Sequence, residues 1–260
     1  MSNKNKGSAN LPLMIIGLVL VAAVGGGLYL YNKNSTPVKT VNANKPANKP
    51  AATPAIATTN VLGAQPPNML GSANSPVTVE EFADFQCPQC GAKHPVMKEI
   101  QSIYGSRIKF IFRDFPLAIA AHDKAYDAAV AAEAAGLQGK FWDMQNQLFT
   151  NQSAWSANPD YRKVWEDYAG KIGLDIEKFK NDMAGLSAKA RVDADLQRGR
   201  ALNVNSTPSV YVNGMLVPFE QMSVEGLRQI IDGELEKAKK SSETNSNAAA
   251  NNAPAANSNK

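Results

Sequence analysis

The chain has 260 residues and a formal net charge of +4. Its composition is so uneven that only the middle can fold compactly, because the flanks lack the large apolar side chains a core needs. The positive excess sits in those flanks, with Lys4, Lys6, Lys33, Lys39, Lys45, Lys49 and Lys260 set against Glu243. The remainder is close to neutral and has no basic patch with interleaved aromatics, which excludes a nucleic-acid interface of the usual electrostatic kind.

Residues 1–10 contain Lys4 and Lys6 and lead into an apolar run, Leu11 to Tyr31, about as long as the roughly 20 residues a membrane-spanning helix requires. Lysines before the span predict a cytoplasmic N-terminus, a signal-anchor at 11–31 and an extracytoplasmic remainder. A cleaved signal peptide is the alternative, with Ala22, Ala23 and Gly25 to Gly27 as small residues that could host cleavage. No cysteine follows the run, so a lipoprotein anchor is excluded. Residues 32–68 are rich in Pro, Asn, Ala and Thr without periodicity and predict a disordered tether. As a flexible coil it holds the folded part of the chain roughly 30 to 40 Å from the membrane.

Residues 69–240 predict one folded domain, and 241–260 a second low-complexity, disordered segment. Within the domain, Val77 to Phe82 and Arg107 to Phe112 read as strands, and Ser209 to Val212 with Met215 to Val217 as a hairpin turning at Asn213-Gly214. Helical patterns run over Cys90 to Ile103, Ala125 to Ala135, Phe141 to Phe149, Tyr161 to Ala169, Ile176 to Gln197 and Val224 to Lys239. Strand, helix, strand, helical block, hairpin, helix is an α/β order with helices packed on one sheet.

The two cysteines, Cys87 and Cys90, are spaced Cys-x-x-Cys and are too few for a disulfide framework, so they read as a redox or metal pair. Cys87 falls where the first strand hands over to a helix, facing the unpaired N–H groups and positive dipole end that favour a thiolate. Cys90, one turn inside, is placed to resolve a mixed disulfide. Pro88 suits the first helical turn. Gln89, a neutral amide, predicts a moderate depression of the Cys87 pKa. A zinc site is the competing reading, but its further ligands would have to be His94 and His122, the two histidines of the chain. Haem attachment would need a histidine where Gly91 stands.

The segment from Glu81 to Cys90, together with Phe112-Arg113-Asp114-Phe115-Pro116 and Thr207-Pro208, resembles the DsbA-like thiol-disulfide oxidoreductase family over roughly Asn68 to Lys240. The resemblance implies a thioredoxin-like α/β fold with an inserted helical subdomain at about 117–203, no cofactor and no metal. It implies that Pro208 is a cis-proline facing the dithiol, with Thr207 offering backbone groups to a bound peptide, and that Glu81 is a buried proton acceptor for Cys90. Two-residue alternation supports that last expectation, since Glu81 shares a strand face with Val77 and Val79, whereas Glu80 and Asp84 lie opposite. His94, before Pro95, is expected to be structural, and His122 has no evident partner. The implied activity is disulfide formation in exported proteins, with re-oxidation by a membrane-embedded, quinone-linked thiol oxidase. Gln89 departs from the family at the position that tunes redox poise, which leaves a reductase or isomerase, or a non-catalytic module, as alternatives.

Overall fold

The computed structural model describes residues 59–251. The expected membrane span at 11–31 and its signal-peptide alternative lie outside the described residues. Among the described residues no helix is long and apolar enough to cross a membrane.

Five strands, β1 (Asn68–Gly71), β2 (Thr78–Ala83), β3 (Lys109–Asp114), β4 (Ser209–Val212) and β5 (Met215–Leu216), form one sheet in the order β1-β3-β2-β4-β5. β2 runs parallel to β3, and the remaining pairs are antiparallel. Helix α1 (Pro88–Tyr104) connects β2 to β3. Helices α2 (Ala125–Gly136), α3 (Phe141–Thr150), α4 (Gln152–Ser156), α5 (Tyr161–Lys171), α6 (Ile176–Ala184) and α7 (Leu186–Ala201) fill the connection from β3 to β4, and α8 (Val224–Asn251) closes the chain. This is the expected thioredoxin-like sheet with a helical insertion.

The centre of the sheet is covered on both faces, so β2 is buried almost throughout. On one face Phe82 meets Phe115 and Tyr211 edge-on, and α7 approaches closely enough that a Cβ on Gly199 would sit 2.4 Å from the Phe115 ring. Elsewhere in the core Phe112 packs among Phe85, Phe141, Trp142 and Phe149, which bring α3 against β3. α1 buries His94, Met97, Ile100 and Tyr104, and the Tyr104 hydroxyl donates to Asp232 of α8 at 2.8 Å.

Asn213 and Gly214 both take the left-handed backbone (φ 48° and 79°) of the expected tight turn. Other expectations are corrected. β1 has too little alternation in four residues to read as a strand; its register is set by pairing Leu70 with Phe110. The chain before it, expected to belong to a free tether as far as residue 68, is held from residue 61 onward. The carbonyls of Val61, Leu62 and Ala64 accept from Arg198 and Arg113, and the Ala64 N–H donates to Asp195. β3, expected from Arg107, begins at Lys109 because Gly105–Arg107 forms a short 3-10 turn. The single helix expected over 176–197 is two, separated by Gly185, whose extended backbone (ψ 175°) starts α7. The tail expected from Ser241 continues α8 to Asn251, with the Ser241 and Thr244 hydroxyls bonding to carbonyls one turn back.

Candidate active site

β2 stops at Ala83 and the next four residues make a turn, closed by the Cys87 N–H donating to the Asp84 carbonyl at 3.1 Å. The Asp84 carboxylate fixes that turn from inside. One oxygen accepts from the Gln86 N–H at 2.7 Å, and the other accepts from the Leu117 N–H at 2.9 Å and meets His122 Nδ1 at 2.7 Å. Cys87 is the residue capping α1, with extended backbone, and Pro88 follows in the first turn, where its missing N–H leaves no bond unmade. Across from it the Thr207-Pro208 bond is cis, and the Cys87 thiol donates to the Thr207 carbonyl at 3.4 Å. Cys87 keeps 6% of its surface exposed and Cys90 none, so Cys87 is the thiol a partner can reach.

Both thiols are free, and their environments push them apart. Cys87 is lowered to about 5, first by the hydrogen bond from Cys90, which outweighs burial, then by the Thr207 hydroxyl and the backbone N–H groups of Cys90 and Gln89. That hydroxyl is buried and makes no hydrogen bond of its own in the structure, so the sulfur beside it is the group it can serve. Cys90 is pushed well above its ordinary value by burial and by the neighbouring Cys87. At neutral pH the pair is one thiolate and one thiol. The depression is deeper than the moderate one expected, because the Cys90 thiol supplies the largest share of it, with Thr207 and the backbone donors adding to it, whereas the Gln89 side chain is exposed and contributes only through its backbone N–H.

Glu81 is 2% exposed, and burial alone raises its carboxyl to about 8, so it holds its proton at neutrality. Glu80 and Asp84, on the other face, are also buried. Glu80 pairs with Arg113 at 2.8 Å and Arg198 at 2.6 Å. Burial pushes it up, but the two guanidinium groups together leave it below the usual carboxylate range.

Neither histidine approaches the cysteines as a zinc site would require. His94 Nε2 faces Asn146 Oδ1 at 3.2 Å and its ring lies against Phe149, while His122 is held by Asp84. Among the described residues the group spaced to hold a cation is Asp114, Glu133 and Asp195, which contains no cysteine. Arg113 already bonds Asp195 and Arg191 bonds Glu133. The remaining carboxyl, Asp114, has no hydrogen-bond partner and is pushed up by burial and by Glu133 and Asp195, so a proton completes the charge balance.

Two side chains at the turn were not singled out by the sequence. Gln86 accepts from the Lys124 N–H at 2.8 Å and donates to Asp123 at 3.1 Å. Gln152, on α4, donates to the carbonyls of Phe85 at 2.7 Å and Cys87 at 2.9 Å. Both are neutral amides in ordinary local patterns, and only the fold brings them to the dithiol.

A dithiol at the start of a helix, a cis-proline opposite it and helices inserted in a thioredoxin-like sheet define a DsbA-like thioredoxin-fold protein. The chain belongs to the thioredoxin family: the family model described as Thioredoxin matches residues 64–233. Its fold is similar to that of oxidised BdbD from Bacillus subtilis (24% identity, TM-score 0.58, 65% of this chain and 93% of that one). It is also similar to the thiol-disulfide exchange protein α-DsbA2 from Wolbachia pipientis (21% identity, TM-score 0.53, 64% and 86%). In sequence it is 39% identical over 146 residues to the Na(+)/H(+) antiporter NhaA 1 of Mycolicibacterium gilvum, a stretch covering 55% of this chain and 23% of that protein. The chain thus spans less than a quarter of that relative's length, and the transport activity in its name is not carried over.

Proposed function

We propose that this chain is an extracytoplasmic thiol-disulfide oxidoreductase, anchored by Leu11 to Tyr31, that forms disulfide bonds in exported proteins through Cys87 and Cys90. The observation that carries this reading is the Cys87 sulfur at the start of α1, against the Thr207 carbonyl and with 6% of the residue exposed, beside a Cys90 that is fully buried, an arrangement that lowers the first thiol and raises the second. Starting from the Cys87–Cys90 disulfide, a substrate thiolate attacks the Cys87 sulfur. The S–S bond breaks, and Cys90 leaves with the electron pair and takes up a proton, for which Glu81 is the donor. A second substrate thiolate then attacks the substrate sulfur of the mixed disulfide, and Cys87 departs as a thiolate. A low-pKa thiol is a good leaving group, so release of the substrate disulfide is favoured. The substrate loses two electrons, and the protein, now a dithiol, returns them to a membrane-embedded, quinone-linked thiol oxidase. Pro88 and Gln89 tune the helix start; Thr207 and Pro208 receive the substrate peptide.

The reduction potential of residues 59–251, equilibrated against glutathione, tests the direction. A value near about −120 mV supports an oxidase, whereas one near about −270 mV makes the protein a reductant. Cys90→Ser is expected to trap mixed disulfides at Cys87 on non-reducing gels and Cys87→Ser none. Adducts through Cys90 instead would reverse the roles.

A further inference from the structure

The inserted helices do more than cover the sheet: α4 reaches the redox turn directly. Its five residues (Gln152–Ser156) are anchored by Trp155, which is fully buried, donates its indole N–H to the Leu148 carbonyl at 2.9 Å and lies edge-on to Trp165. From that anchored helix the Gln152 amide donates to two carbonyls of the turn at once, Phe85 at 2.7 Å and Cys87 at 2.9 Å. The Cys87 carbonyl also accepts the first hydrogen bond of α1, from the Gly91 N–H at 3.1 Å. A second contact with the same helix accompanies the amide: a Cβ on Gly91 would lie 2.8 Å from Gln152 Oε1, so the residue after the dithiol is one that leaves this side chain room. Gln86, between the two bonded carbonyls, is tied to the same insertion through Lys124 and Asp123.

We infer that Gln152 is a positioning residue for the exchange reaction, through which the helical insertion holds the Phe85–Cys87 backbone so that the Cys87 sulfur stays against its donors at the start of α1. Those donors include the backbone N–H groups of Gln89 and Cys90, which follow the Cys87–Pro88 peptide, so where the sulfur sits against them depends on the Cys87 backbone that Gln152 holds. Releasing the two carbonyls lets the turn rotate, and a charge-assisted hydrogen bond weakens steeply with misalignment. The inference rests on the proposed role of Cys87 as the reacting thiolate.

The test is the pH profile of Cys87 alkylation by iodoacetamide in the reduced protein, with melting temperature measured alongside. Gln152→Met keeps the shape and removes the donors; Gly91→Ala leaves Gln152 intact and displaces it. Both are expected to slow alkylation about five- to tenfold near pH 5, with rates converging above about pH 9 and the fold retained. Gln152→Lys, which restores a donor, is expected to recover part of the loss, and Ser153→Ala, exposed on the same helix, to match the wild type. Wild-type profiles for Gln152→Met and Gly91→Ala would overturn the inference, as would a loss in Gln152→Met alone accompanied by a collapsed melting temperature. The functional reading fails separately, by a wild-type profile whose midpoint lies near that of an ordinary thiol. Alkylation needs neither substrate nor oxidant, so the two failures are distinguishable.

Discussion

Cys87 and Cys90 stand one helical turn apart, yet one is ionised at neutral pH and the other is not. The difference comes from donors and burial around each sulfur, and the donors can be tested singly. Thr207→Val removes a hydroxyl while leaving the carbonyl that faces Cys87. It is expected to raise the Cys87 pKa by about one, since a hydrogen bond to a charged group contributes about 1.5–3 kcal/mol. Gln89→Ala keeps the backbone N–H that acts on Cys87, and is expected to leave the pKa within a few tenths. Titrating the thiolate absorbance of each variant checks both. For Glu81 the sign runs the other way. Its carboxyl is raised from 4.5 to about 8 by burial, so the folded state takes up a proton that the unfolded state has released. Glu81 therefore lowers stability increasingly as pH rises from about 4.5 to about 8. Glu81→Gln is expected to stabilise the domain by up to about 3 kcal/mol near pH 7 and by almost nothing below about pH 4.5. Denaturant unfolding at the two pH values decides it; an equal gain at both would mean the carboxyl is already ionised when folded.

Among the elements, α7 packs directly on the central strands of the sheet. Gly199 is buried where a methyl group would overlap the Phe115 ring at 2.4 Å and press on Phe82 at 3.2 Å. An alanine would favour the helix by about 1 kcal/mol, but overpacking a core costs about 1–3 kcal/mol, and both rings are buried. Gly199→Ala is thus expected to destabilise the domain by up to about 2 kcal/mol, read as a lower denaturation midpoint with an unchanged slope. The neighbouring residue, Arg198, shows why α7 cannot simply move away. Its guanidinium bonds both oxygens of Glu80 and the Val61 carbonyl, so a shift of the helix breaks charged contacts to the centre of the sheet.

At the scale of the domain those contacts join four separate parts of the chain. Arg113 on β3 reaches Glu80 on β2, Asp195 on α7 and the carbonyls of Leu62 and Ala64 before β1. Removing one member of a buried charged network leaves the others uncompensated, at a cost of about 3–5 kcal/mol. Arg113→Met is expected to lose about that much and to open the 59–66 segment to proteases, detected as a new cleavage upstream of β1. The network also predicts acid sensitivity. Glu80 is held below its ordinary 4.5, so its contribution is complete above that value and disappears as pH falls through the lower folded pKa. Protease sensitivity of 59–66 should therefore rise at acid pH in the wild type, and from an already higher baseline in Arg113→Met, where Arg198 still holds Glu80.

The features legible from neighbouring residues are local: the handover from strand to helix at Cys87, the proline suited to the next position, the left-handed turn at Asn213-Gly214, and the two-residue alternation that puts Glu81 on one face with Val79. Each is a matter of backbone angles or side-chain facing within a few residues, which periodicity and residue type encode directly. The other features come from contacts between residues far apart in the chain. Thr207 meets Cys87 from 120 residues away, and Gln152 reaches the redox turn from the insertion. Glu80 is buried although it lies on the face opposite Glu81, because β2 is a central strand covered on both sides and its arginine partners come from β3 and α7. The strand β1 and the held segment before it exist only through pairing and charge contacts with distant residues. Such contacts form when loop closure brings separated groups together, and no local pattern carries that information.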